Sequence, residues 1–466
     1  MKKLIFFLIV VMVVGFFILN FLNGLGRVEG KVTITHTDKT LWQIDYNFEQ
    51  AVIGIMTGPE TKEYHESSWN LPEGFHFVTD ESGYSWLEKI DKGSFKSLTI
   101  NVKTYDKLVL YAPQPFAVFD YGVSINTGPL GFATKVKLLG LIEMMHNFEL
   151  KYSFVGLENE YILVPNSEKT EDVLINGQGY YVFFGEQDKI EENETVTLIL
   201  DSDFPNELRE DILSVAEKFV TFYNQELGEV LNDRLMIQIT YTHEPRVKGE
   251  SFGIGGGAQS EQFMGIAMGP IDSAKIKETK QRVRAFMAHE MAHIWEKSIG
   301  NDNMRWFSEG GVEMLSHVGM KRLGFMTEKE FNTFLNKYVT ESIEDLAKVS
   351  LELPHRQGFE RLNYSGGTIA LWAICKSISK KNEENDIYKL NRELHKFSED
   401  SLSKFPKECL NATFASLGMN DDEILGIDYF INTKHENPQK AYVDLFELTG
   451  VEYEVYGDSL VIKEQK

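Results

Sequence analysis

The segment His289-Glu290-Met291-Ala292-His293 sets two imidazoles four residues apart, with a carboxylate next to the first. It lies in a stretch, 279–297, that contains neither glycine nor proline, so a helix is the expected conformation. Side chains four apart on a helix share a face, with roughly 5–6 Å between their Cβ atoms. Two imidazoles so placed can converge on one divalent metal ion, and zinc, which takes histidine nitrogens in tetrahedral sites, suits them. Glu290 is rotated off that face by about 100°. It is therefore expected not to bind the metal but to reach a metal-bound water, whose pKa zinc lowers to ~7, and to take its proton.

A catalytic zinc needs a third protein ligand and keeps an open position. Fifteen residues separate His293 from Glu309, in Trp306-Phe307-Ser308-Glu309-Gly310-Gly311-Val312-Glu313. Glu309 and Glu313 share a helical face. Glu309 is the expected third ligand, and Glu313 is expected to accept the free ring N–H of a histidine ligand. Solvated glutamates are common on an acidic protein. Here the apolar neighbours Trp306, Phe307, Val312, Met314 and Leu315 predict a buried helix, and buried carboxylates need partners.

These elements sit in a chain of 466 residues with a formal charge of −23. That balance excludes the basic footprint of a nucleic-acid partner. Cys375 and Cys409 are the two cysteines, too few for a disulfide framework or a cysteine-rich metal site. At the N-terminus, Lys2 and Lys3 precede an apolar run from Leu4 to Leu19 that Phe21 and Leu22 extend. The run approaches the ~20 residues of a spanning helix, and no clear cleavage site follows. An uncleaved signal anchor over 1–26 is expected in preference to a cleaved signal peptide. It implies a single-pass protein of the cytoplasmic membrane with its catalytic part on the periplasmic or extracellular side.

Further along, the pattern predicts an α+β protein. Segments 31–37, 97–102, 108–111, 180–184 and 195–200 alternate or carry β-branched and aromatic runs. Residues 27–200 therefore read as a β-rich, sandwich-like domain with one helix near 137–147. From about 203 the period becomes helical, with Ile212, Val215, Phe219 and Tyr223 on one face. A strand is expected at 235–241, a glycine-rich loop at 253–257 and an apolar segment at 263–268. Helices dominate thereafter, among them one opened by the capping box Thr327-Glu328-Lys329-Glu330 and one over 384–397. Strand-like alternation returns from Val451. The expected divisions are 201–345, carrying the catalytic residues, and 346–466, a mainly helical region completing the cleft.

Taken together, these motifs resemble the gluzincin zinc metallopeptidases, specifically the aminopeptidase N-like and glycyl-aminopeptidase-like families. His289-Glu290-Met291-Ala292-His293-Ile294-Trp295 is similar to their H-E-x-x-H-x-W segment, and Glu309-Gly310 to their third-ligand pair. Tyr364-Ser365-Gly366-Gly367 resembles their Y-x-x-G segment. The resemblance implies a thermolysin-like α/β catalytic domain, a zinc cofactor, peptide or protein substrates, and Tyr364 as the donor to the oxyanion. It also implies that the glycine-rich segment lines the cleft, which makes Gly256, Gly257, Gln259 and Glu261 the candidates for substrate binding. In the family a glutamate of this segment grips the substrate's free amine. The match here is poor, so the exo- or endo-mode stays open. A catalytically inactive, peptide-binding or scaffolding membrane protein is the competing reading, and the intact Glu290 argues against it.

Overall fold

The computed structural model describes residues 27–463 except 59–61, 106–114, 132, 139–141, 166, 176–180, 232–233, 242–252, 261–262, 297–303, 354–357, 400–406 and 458. Two compact units divide it: residues up to 191 with 199–203, and 192–198 with 204–466.

The first unit is built on a ten-stranded sheet. Its centre is the parallel pair Arg27–Asp38 and Ile142–Val155, and Leu41–Val52 and Phe95–Lys103 continue it by antiparallel pairing. Strict alternation buries Val32 and Ile34 while their neighbours face outward. A four-stranded sheet contributes Phe116, Val123, Ile125, Val182 and Phe184 to the same core, against Trp42, Tyr46 and Phe154. A short α-helix, α1 (Lys62–Ser68), also lies in this unit.

The helix expected near 137–147 is not formed. Ala133–Leu138 and Ile142–Val155 are instead antiparallel strands, with Ala133 opposite Asn147 and Leu138 opposite Ile142. Strand Ile142–Val155 is paired along both edges, and this long-range pairing overrides a locally helical composition. The strand expected at 108–111 lies outside the described residues.

The anchor expectation is also corrected. No helix among the described residues is long and apolar enough to cross a membrane, so a single-pass anchor, and the exported localisation inferred from it, is not supported. The apolar run of residues 4–22 lies outside the described residues.

The second unit carries the helices. In α2 (Asn206–Leu227), Leu208, Ile212, Val215, Ala216, Phe219 and Tyr223 are buried at helical spacing. Next come α3 (Ile276–Glu296), α4 (Arg305–Arg322), α5 (Glu328–Leu346), α6 (Arg361–Lys381), α7 (Ile387–Glu399), α8 (Lys407–Ser416), α9 (Asp421–Asn432) and α10 (Pro438–Thr449). A hairpin of Tyr453–Tyr456 with Ser459–Ile462 follows. The capping box at α5 is formed: Thr327 Oγ1 accepts from the Glu330 amide at 3.2 Å, and Glu330 Oε2 accepts from the Thr327 amide at 2.8 Å. Cys375 and Cys409 are free thiols.

The glycine-rich segment is a strand rather than a loop. Ile254–Ser260 pairs antiparallel with Phe263–Met268, which in turn runs parallel to Leu235–Tyr241. It forms the outer edge of a five-stranded sheet. Gly256 has φ +136°, and a Cβ there would run into the Gly265 carbonyl. Glycine serves here to let two backbones approach, not to make a turn.

Helices α4 and α6 meet through glycine as well. A Cβ on Gly367 would strike the carbonyl of Trp306, and one on Gly310 would strike the backbone at Gly367. The contact fixes Glu309 and Tyr364 relative to each other, since each is within three residues of a touching glycine. Gly367→Ala is expected to lower stability by about 1–3 kcal/mol through overpacking, measurable as a lower urea midpoint.

Candidate metal centre

Helix α3 is held tightly by its surroundings. Met287, Ala288, Met291 and Ala292 are fully buried, Tyr223 donates its hydroxyl to the Ala288 carbonyl at 3.0 Å, and Trp295 Nε1 donates to Asn224 Oδ1 at 3.0 Å. Arg284 grips Asp211 of α2 with two hydrogen bonds, one of them 2.9 Å. These contacts fix the rotation of α3, so His289 and His293 present a defined face.

That face meets Glu309 of α4. His289 Nε2 lies 3.7 Å and His293 Nε2 3.5 Å from Glu309 Oε2. One ligand atom from each of the three residues falls within 4.8 Å of the others. Glu309 Oε2 is buried and faces the two imidazole nitrogens at 3.5 and 3.7 Å, without a hydrogen bond of ordinary length. A buried carboxylate oxygen so placed carries a desolvation cost of about 1–3 kcal/mol or more unless a cation faces it. The charges agree with that need. Burial pulls the His289 pKa down, but Glu309, Glu313 and Glu290 outweigh it and raise it. Burial opposes ionisation of Glu309, yet the two imidazoles hold its carboxyl far below the usual range. The donor set, two imidazoles and a carboxylate, fits a divalent metal of the zinc type.

Glu290 does not join this cluster. Its Oε2 accepts from the Ala258 amide on the edge strand at 3.3 Å, and a Cβ on Gly257 would come within 3.0 Å of it. The bare α-carbon of Gly257 thus leaves the space that Glu290 occupies. Burial pushes the Glu290 carboxyl upward, partly offset by the two histidines. Of the other expected cleft residues, Gly256 lies on the same strand, the side chain of Gln259 is not described, and Glu261 lies outside the described residues.

Tyr364, near the start of α6, stacks on the His289 ring with centroids 5.8 Å apart. Burial, and then Glu309 beside it, raise its hydroxyl pKa above the ordinary tyrosine value, so it stays a donor. Glu313 Oε1 lies 3.6 Å from His289 Nδ1, on the ring edge away from Glu309. Burial opposes its ionisation, but His317 and the other neighbours hold it down to about 2.

Four residues at this centre were not singled out from sequence. His317 reaches Glu313 Oε2 at 3.2 Å and stacks on Phe334 at 3.5 Å between centroids. Its spacing, four after Glu313, is a readable signal. Tyr338 donates to Glu313 Oε1 at 3.0 Å, and Arg361 Nη2 donates to the Tyr338 hydroxyl at 3.3 Å. Arg361 stands three before Tyr364, again a local cue; Tyr338 on another helix has none. Glu296 is 1% exposed and accepts from Ser308 Oγ at 3.2 Å. Burial pushes its carboxyl up to about 7.

No family model matches the sequence, and no curated protein matches it. Solved structures do. An aminopeptidase N family protein from Idiomarina loihiensis aligns at a TM-score of 0.60 over 92% of this chain and 79% of its own, with 12% identity. Yeast LTA4 hydrolase aligns at 0.49 over 85% and 66%, with 12% identity. An M1 zinc metallopeptidase from Deinococcus radiodurans aligns at 0.47 over 88% and 94%, with 8% identity. The last two, below 0.5, add nothing to the assignment. The fold of this chain is that of the aminopeptidase N family protein, in keeping with the gluzincin zinc metallopeptidases its motifs resemble.

Proposed function

We propose that the protein is a zinc-dependent peptidase that hydrolyses peptide bonds at the His289/His293/Glu309 centre. The observation that carries the reading is the convergence of three ligand atoms, two imidazole nitrogens and a buried Glu309 oxygen, within 4.8 Å of one another. A zinc ion held there would supply a Lewis acid with an open position for water and for the substrate carbonyl. Glu290, anchored by the Ala258 amide, takes the proton of the attacking water on its carboxylate and returns it to the leaving amine. The Tyr364 hydroxyl donates to the oxyanion that develops on the scissile carbonyl. Glu313 holds His289 from behind, which sets the ring orientation. Gly257 leaves room on the edge strand for Glu290, and Gly256, Gln259 and Glu261 are the remaining candidates to contact the substrate chain. The intact Glu290 gives the non-catalytic, peptide-binding alternative no support, because a purely structural site has no use for a free carboxylate there.

The test is metal analysis of the purified chain joined to a peptide-library digest. One zinc per chain and cleavage abolished by a chelator are expected. A chain that holds no zinc and cuts nothing overturns the proposal.

A further inference from the structure

An ion-pair contact, two hydrogen bonds and two ring contacts behind the metal centre close into a loop through four helices. From His289 on α3 it passes to Glu313 on α4 at 3.6 Å, and from Glu313 to Tyr338 on α5 at 3.0 Å. It continues from Tyr338 to Arg361 on α6 at 3.3 Å. The Arg361 guanidinium then lies 5.6 Å from the centre of the Tyr364 ring, which stacks back on His289 at 5.8 Å. Two side contacts brace the loop. His317 takes the second oxygen of Glu313, so both carboxylate oxygens have neighbours and the carboxylate plane is set. Glu341 accepts from Arg361 Nε at 3.3 Å and from Nη2 at 3.1 Å, which fixes the plane of the guanidinium.

Arg361 is the member with a foot on both sides. Its Nη2 holds the tyrosine that holds Glu313, and its guanidinium carbon lies 5.1 Å from the centre of the Tyr338 ring and 5.6 Å from that of Tyr364. We propose that Arg361, acting through Tyr338 and Glu313 on one side and through Tyr364 on the other, is a positioning residue that ties the orientation of the His289 ring to that of the Tyr364 hydroxyl. The inference rests on the metallopeptidase reading of the site and deepens it. A metal ligand and an oxyanion donor do their work only if held to about half an ångström, and partners one layer out supply that precision. Arg361 itself is about half exposed, so its removal opens no cavity in the core.

The experiment uses the full chain, with zinc affinity measured by chelator competition, kcat and KM on a peptide found by the library digest, and thermal unfolding. Arg361→Met is expected to lower kcat by about 10–100-fold, with KM within twofold. Arg361→Lys keeps the charge but not the planar fork and is expected to recover part of that loss. Tyr338→Phe removes the donor to Glu313 and is expected to weaken zinc binding by about tenfold. In a Tyr364→Phe background the Arg361→Met change is expected to cost much less in kcat, since the hydroxyl it aims is gone. A folded Arg361→Met chain with kcat and zinc affinity within twofold of wild type overturns the proposal. So do losses that multiply independently with Tyr364→Phe. Should Arg361→Met not fold, Glu341→Gln releases the guanidinium from its anchor without removing it, and a kcat unchanged in that variant is equally fatal. A wild-type chain that holds no zinc instead overturns the metallopeptidase reading itself, so the two failures are told apart by the zinc content of the unmutated protein.

Discussion

Glu290→Gln is expected to reduce peptide hydrolysis by about 10²–10⁴-fold while the chain keeps its zinc. In free energy that is about 2.7–5.4 kcal/mol of lost transition-state stabilisation. The argument begins with helix geometry, since Glu290 follows His289 and is turned about 100° away from the ligand face. In the structure His289, His293 and Glu309 cluster, while Glu290 Oε2 accepts from the Ala258 amide on the edge strand. Glutamine fills the same volume and keeps an oxygen to accept from that amide. It cannot take a proton from water. The metal should therefore be retained, KM should move little, and the loss should fall on kcat. Burial, which pushes the Glu290 carboxyl upward, brings it closer to the pKa that suits a general base near neutrality. Equal cleavage by wild type and variant would remove Glu290 from the mechanism.

The parts of this centre that could be read in the sequence are those whose geometry is local. His289 and His293, and Glu309 and Glu313, are pairs at a spacing of four on single helices, so helical periodicity alone places each pair on one face. The capping box at Thr327 and the buried stripe of α2 are legible for the same reason. What failed depended on partners far away in the chain. The glycines at 253–257 look like a loop because nothing nearby shows that Gly256 will pair opposite Ile266. Residues 137–147 look helical until pairing along both edges of Ile142–Val155 is known. Tyr338 reaches the site only because α5 and α6 come together there, and no spacing on its own helix announces it. The apolar N-terminal run is a different case: its length suggested a spanning helix, and among the described residues no such helix exists.

The second large effect is expected from His293→Ala, which should take the zinc content from one per chain to near zero and abolish hydrolysis with it. His293 Nε2 is the closer of the two imidazole nitrogens to Glu309 Oε2, 3.5 Å against 3.7 Å, and its ring is set nearly perpendicular to that of His289, at 83°. Removing it leaves one nitrogen and one carboxylate, fewer than the three protein ligands that a catalytic zinc takes. The loss should also be visible without any substrate. A ligand bound only by the folded chain stabilises it by about 4 kcal/mol when present at a thousand times its Kd. Wild-type protein should therefore unfold at a higher temperature with zinc than after chelation, and His293→Ala should show no such difference. The variant still folds in this account, because His293 is only half-buried and the core of α3 is made by Met287, Met291 and Trp295. A His293→Ala chain that binds zinc as wild type does, with the same chelator-sensitive midpoint, would place the metal elsewhere and sink the assignment of His289, His293 and Glu309 together.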